Sequence, residues 1–384
     1  MPSPQPFSLR VPDEALDDLR QRLARTRFPD EAPAERWAHG TDVDWLRDLV
    51  AYWQDGFDWR AAEARLNALP NYTLPIAGID LHFIHAPGRG PNPVPLLMSH
   101  GWPGSVFEFL AIIERLTDPA RFGGDPADAF TVVAPSLPGY GLSYRPGQER
   151  FGINRIADVF AELMGALGHE RFVAQGGDWG ASITARLGHA HPDRLLGVHF
   201  NMVPVGRDPS LLSENASDEE ARYLSELKAW TEEETGYQKI QGTKPQTLAF
   251  GLSDSPGGLA AWIGEKYHRW SDHDGDVFSA ISRDEALANI SLYWFTGAIG
   301  SSFWPYYARV HGERPVPAGE TIAVPAGFAA FPREILRPPR SVVERVFTDI
   351  RRWTAMERGG HFAAWEQPDA LAREIAAFAR PLRP

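Results

Sequence analysis

The sequence predicts an α/β fold: a mostly parallel sheet with helices on both faces, preceded by a helical arm and interrupted by a helical insertion. Three observations carry this expectation. Short apolar runs alternate with stretches of helical periodicity from about residue 76 onward. The interval 206–305 contains no convincing strand. Residues 1–75 are helical in spacing and rich in aromatic side chains.

At 384 residues with 43% hydrophobic content, the chain can bury a sizeable core as one large domain with an insertion, or as two domains. Its 50 acidic against 38 basic residues give a net charge of -12, which repels nucleic acid and anionic membrane surfaces. Cysteine is absent, so disulfides, thiolate catalysis and cysteine-ligated metals are excluded. The start, "MPSPQPFSLRVPDEALDDL", has no basic segment followed by an apolar one, and no stretch reaches the roughly 18 apolar residues of a membrane span. A cytoplasmic protein without a membrane anchor is expected.

In the arm, "DWLRDLVAYW" places Trp45, Leu49, Tyr52 and Trp53 on one side of a helix, and "WRAAEARLNALP" follows. Such an arm must bury its tryptophans, against its own lid or a neighbour's, so a homodimer stays open. The first part of the core, 76–205, opens with "TLPIAGIDLHFIH", where Ile79, Leu81 and Phe83 alternate with Asp80 and His82 as in a half-buried hairpin turning near Ala77 and Gly78. The strands "VPLLMSH", "FTVVAPS", "RFVAQ" and "LLGVHFNM" follow, with "APGRGPNPVP" as a connecting loop. The helical lid, 206–305, includes "GGLAAWIGEKYHRW" and "RDEALANISLYWFTGAI". The second part of the core, 306–384, supplies the strands "TIAVPAGF" and "TDIRRWTAM" and a C-terminal helix.

Between "RFVAQ" and a helical stretch lies "GGDWG", in the setting of the strand–turn–helix elbow that exposes a nucleophile in α/β-hydrolase folds, with Asp178 where serine usually stands. Taken alone the pentapeptide fits an Asx turn equally well. "SHGWPGS" follows an earlier strand, and the amides of Trp102 and Trp179 are the candidates for an oxyanion hole. His100, at the strand end, reads as a structural histidine. His361 sits in "ERGGHF" just before the C-terminal helix, which satisfies the order nucleophile, acid, histidine. Glu334, just beyond a late strand, is preferred as the acid over Asp349 and Glu357.

The combination of "HGWPGS", "PSLPGYGLS", "GGDWG", "GYQKIQGTKPQTLAFGLSDSPGGLAAWIGEK" and "RGGHFAAWEQP", with the helical arm, resembles microsomal-type epoxide hydrolases and their juvenile-hormone-hydrolysing relatives over nearly the whole chain. The lid motif is the most discriminating part. The resemblance implies an α/β-hydrolase fold and two lid tyrosines that activate the epoxide oxygen, falling on Tyr237 in "GYQKIQ" and Tyr306 in "SSFWPYYARV" beside Tyr307. It does not carry over the membrane anchor of the animal members.

The chemistry asks for these residue types. A serine opening an epoxide would leave an ether that water cannot split, whereas an aspartate leaves an ester. Asp178 is the expected nucleophile, Tyr237 and Tyr306 the proton donors to the opening ring, and His361, oriented by Glu334, the general base for water. Trp230, Trp262, Trp270, Trp294 and Phe303 are candidate pocket walls, Trp230, Trp262 and Phe303 first, although most aromatics at helical spacing are core residues. The pairs His189/His191 and His268/His273 lack the company of a zinc motif, so no metal and no cofactor are expected.

The expected reaction converts an apolar epoxide and water to a vicinal diol. Its rivals are a haloalkane or haloacid dehalogenase with the same Asp–His–acid machinery, and a hydrolase fold that only binds a ligand. The residues fit detoxification and a dedicated pathway equally, and leave the epoxide and its stereochemistry open.

Overall fold

The computed structural model describes residues 3–30, 32–205 and 216–383, so the first stretch of the expected lid, 206–215, lies outside the described residues. Nine strands form one sheet: β1 (Gln5–Pro6), β2 (Asn71–Ile76), β3 (Ile79–Ala86), β4 (Val94–Ser99), β5 (Phe130–Pro135), β6 (Phe172–Gly176), β7 (Leu195–Phe200), β8 (Ala326–Ala330) and β9 (Ile350–Ala355). Their spatial order is β1-β2-β3-β5-β4-β6-β7-β8-β9, antiparallel from β1 to β5 and parallel from β5 to β9.

The central strands are mostly apolar because helices cover both faces; Leu96, Leu97, Met98, Val173 and Ala174 are fully buried. From β4 the chain moves outward to β5, then crosses back through the helix Ile153–Ala166 to β6 on the other side of β4. That reversal opens a crevice at the carboxyl ends of β4 and β6, where ligands bind in open α/β sheets.

The β2–β3 hairpin turns through Ala77 and Gly78, both with positive φ, as a tight two-residue connection requires. The simple alternation read there fails at His82, which is fully buried. The arm covers that face: the Phe7 ring meets the His82 ring at 5.0 Å, and the imidazole bonds the Ser136 hydroxyl at 2.9 Å and the Asn71 amide oxygen at 3.0 Å. The eighth strand begins later than "TIAVPAGF" suggests, because Pro325 brings no N–H to the ladder; Ile322 makes only an isolated bridge to Phe347.

In the arm, Asp42 caps the helix Val43–Asp55 by accepting from the Trp45 amide at 2.8 Å. Its tryptophans are buried against the lid of the same chain. Trp45 fills the space left by Gly264, and the Trp53 indole N–H donates to the Ser291 hydroxyl at 2.9 Å. The lid, between β7 and β8, carries no strand in its described part and is built on the helices Asp218–Glu233, Gly236–Thr243, Pro245–Asp254, Pro256–Trp270, Arg283–Thr296 and Trp304–Val310. The last of these runs across the boundary placed at 305/306 and carries Tyr306. Among the described residues no helix is long and apolar enough to cross a membrane.

Candidate active site

At the end of β6 the chain reverses sharply into the helix Asp178–Ala190, with Asp178 at a φ of 49°. The turn is so tight that a Cβ on Gly176 would strike the Gly180 carbonyl, and one on Gly180 would strike the Ser99 carbonyl at the end of β4. Only glycine fits at either position, and the reversal leaves the Asp178 side chain standing at the top of the sheet.

β4 ends beside it, and the turn that follows brings the Trp102 amide 2.8 Å from Asp178 Oδ1, while the Trp179 amide also hydrogen-bonds the carboxylate. Two lid side chains hold that turn: the Asn289 amide donates to the Pro103 carbonyl at 2.6 Å, and the Tyr293 hydroxyl to the Gly104 carbonyl at 2.8 Å. The sequence reading did not single out either residue. His100 is fixed within the same turn, donating from Nδ1 to the Gly101 carbonyl at 3.0 Å and accepting from the Leu137 amide at 3.2 Å. Burial lowers its pKa to about 4, so it stays neutral as a structural group.

His361 lies on the loop after β9, its amide anchored to the Trp270 carbonyl at 2.8 Å. Its Nδ1 donates to Glu334 Oε1 at 2.7 Å, and its Nε2 faces Asp178 Oδ2 at 3.5 Å. Glu334, four residues past β8, also accepts from the Ile335 amide at 2.7 Å. Of the rival acids, Asp349 pairs with Arg351 and Glu357 is exposed. Burial alone would depress the His361 pKa, but the Glu334 charge and the Asp178 hydrogen bond push it up to about 10. Burial would likewise raise Asp178; the hydrogen bond and charge of His361, with the two amides, hold it below the usual 3.8.

Tyr237 and Tyr306, from the helices Gly236–Thr243 and Trp304–Val310, meet with ring centres 5.8 Å apart. Trp102 stacks on Tyr237 at 5.5 Å, and Trp179 meets Tyr306 edge-on at 4.8 Å. Burial raises the Tyr306 pKa well above the usual 10, so its phenol keeps its proton. Tyr307 instead stacks on Trp304 and His311, and is absent from the cavity wall.

Both tyrosines and Asp178 line a cavity of about 510 Å³. Its apolar walls come from Ile153, Met202, Val203, Pro305 and Val316. Trp230, Trp262 and Phe303 are not among the lining residues. Trp230 packs on Tyr223, Leu227 and Leu336; the Trp262 indole donates to Gln241 at 2.9 Å; Phe303 is fully buried, its ring 6.2 Å from that of Trp102. Among the described residues, no group of three or more His, Asp or Glu side chains could hold a metal ion.

With Oδ1 tied to the Trp102 amide, Oδ2 is the oxygen left for attack on carbon. The phenols share its cavity as acids. The same amide would face the charge that gathers on Oδ1 when a derivative of Asp178 is attacked by water.

Residues 4–109 match the family model described as the epoxide hydrolase N terminus, and residues 94–261 the one described as the alpha/beta hydrolase fold. The chain is 38% identical to epoxide hydrolase 1 of Oryctolagus cuniculus, over 97% of this chain and 88% of that protein. Among solved structures, the Aspergillus niger epoxide hydrolase superposes with a TM-score of 0.85 at 31% identity, covering 99% of this chain and 97% of that one. The juvenile hormone epoxide hydrolase of Bombyx mori superposes with the same score at 29% identity, covering 99% and 95%.

Proposed function

The chain belongs to the epoxide hydrolase family of the α/β-hydrolase fold, and from that premise we propose that it opens an apolar epoxide through an ester on Asp178, which water then splits to release a vicinal diol. One observation carries this reading: a carboxylate with one oxygen held by a backbone amide shares its cavity with two phenols and faces a carboxylate-paired histidine.

In the first step Oδ2 of Asp178 attacks a ring carbon, the carbon–oxygen bond breaks, and the leaving oxygen takes a proton from the pair Tyr237 and Tyr306. Two phenols support an epoxide over a halide, since an alkoxide needs a proton and a halide does not.

Esterification also removes the Asp178 charge, one of the causes that raise the His361 pKa. The imidazolium then becomes a better acid, and its proton returns to the phenolate left by the first step. Neutral His361 takes a proton from water, the hydroxide adds to the Asp178 carbonyl carbon, and Oδ1 becomes an oxyanion facing the Trp102 and Trp179 amides. Losing one such donor typically costs about 2.7–4 kcal/mol of activation energy. Collapse expels the diol oxygen, which takes the proton from His361; the carboxyl proton then passes to His361 and restores the starting ion pair.

His361→Gln should stop the second step and spare the first. Intact-protein mass spectrometry after incubation with styrene oxide should find the enzyme heavier by one substrate. An unmodified variant that still forms diol would overturn the reading.

A further inference from the structure

A second cavity touches Asp178 from another side and shares no other lining residue with the first. It measures about 20 Å³, room for one water, since a water needs roughly 10–15 Å³ of such space. Glu108, His100, Gln175 and Asn201 line it around Asp178 and His361, beside the apolar Phe109, Phe362 and Leu371. Gln175 Oε1 and the Ser99 hydroxyl in this wall are buried without a hydrogen-bond partner among the described residues. Orphaned polar atoms around a water-sized space indicate a hydrated site.

We propose that Glu108 positions the water that hydrolyses the Asp178 ester, holding it in this cavity between His361 and the carbonyl carbon. The inference rests on the ester reading above. Glu108 lies in "GSVFEFL", three residues past the turn that carries Trp102, and its carboxyl group occupies the space over Gly104, where any Cβ would collide with it. His361 is already committed through Nδ1 to Glu334, so a single base contact at Nε2 would leave the water free to rotate. A second acceptor fixes it. One hydrogen passes to His361 as the oxygen bonds to the Asp178 carbonyl carbon; the other stays on that oxygen, donated to Glu108, until the ester bond breaks and the diol oxygen takes the proton from His361.

Burial raises the Glu108 pKa to about 8; the positive His361 opposes the shift, the negative Asp178 adds to it and the Ser105 amide opposes it. The buried phenols of Tyr267 and Tyr293, from the lid helices, also feel this carboxylate. Esterification cancels the Asp178 charge, and loss of the His361 proton then cancels the opposing one, which leaves burial as the cause that holds the Glu108 pKa up in the intermediate. Only the ionised carboxylate is a pure acceptor. Hydrolysis of the ester should therefore rise with pH as Glu108 ionises, with a midpoint that burial holds well above the usual 4.5.

Rapid-mixing single turnovers with styrene oxide separate the two half-reactions, following ester formation and decay by quench and mass analysis from mildly acidic to mildly alkaline pH. Glu108→Gln should leave ester formation unchanged, slow ester decay by roughly 10²-fold, as for a displaced reactant, and abolish the pH-dependent rise. Glu108→Asp should restore part of the rate and the rise. Decay at the wild-type rate in Glu108→Gln, a retained pH rise, or equal loss of both half-reactions would each overturn the role of Glu108 while the ester stands. Absence of any ester from wild type and His361→Gln alike would overturn the ester reading itself, and this inference with it.

Discussion

The sheet end and the lid hold their reacting groups by different means. Asp178 is fixed by backbone: glycine-only contacts at Gly176 and Gly180, a positive φ, and the Trp102 amide at 2.8 Å. Tyr237 and Tyr306 are fixed by side chains, through a cluster in which Trp102 and Trp179 meet them ring to ring. A carboxylate held by backbone has one position, whereas rings held by other rings depend on the packing of their neighbours. On the proposed mechanism the sheet end supplies the attack, and the lid supplies the acids that the epoxide oxygen needs.

Four substitutions and a pH profile test that division. Asp178→Ala should lower kcat/KM by at least about 10⁴-fold and abolish covalent labelling, as for loss of a nucleophile. Substantial activity without labelling would remove the sheet end from its place in the account. Tyr237→Phe and Tyr306→Phe should each slow ester formation by roughly 10²-fold and leave ester decay unchanged. A slower decay instead would shift the lid's part to the second step.

Formation of the ester should persist as pH falls until below the usual carboxylate value of 3.8, because the folded enzyme depresses the Asp178 pKa and the carboxylate is the reactive form. A loss of the first step well above that value would show that the His361 contact does not hold the charge. The smallest effect is expected where the lid grips the sheet end. Asn289→Ala leaves the buried Pro103 carbonyl without its donor and should cost about 1–3 kcal/mol in denaturant unfolding. An unchanged midpoint would mean that the turn is held without Asn289.

The same contrast explains what the sequence disclosed. Asp178 was legible because its turn writes itself in glycines, and His361 and Glu334 because the chain order of the fold restricts where they stand. The sheet was legible for a related reason: β4 to β7 are buried on both faces and read as mostly apolar runs. His82 misled because the arm that buries it lies about seventy residues upstream, beyond any local alternation. Tyr237 and Tyr306 stood out only through whole motifs, since an isolated tyrosine on a helix looks like core. Trp230, Trp262 and Phe303 show that ambiguity from the other side, being aromatics at helical spacing that stand apart from the lining of the main cavity. Asn289, Tyr293 and Glu108 carried one weak signal each, a polar atom inside an apolar stretch, and only the packing of lid on sheet gives it meaning.

The most direct test of the central claim is a single turnover in ¹⁸O water, with enzyme in excess over styrene oxide and mass analysis of both the diol and the peptide bearing Asp178. The ester route predicts label in that peptide and none in the first diol released, because the diol oxygen comes from the carboxylate and water replaces it there. Label in the diol with an unlabelled Asp178 peptide would show that water attacks the epoxide directly, and the carboxylate at the elbow would lose its role as nucleophile.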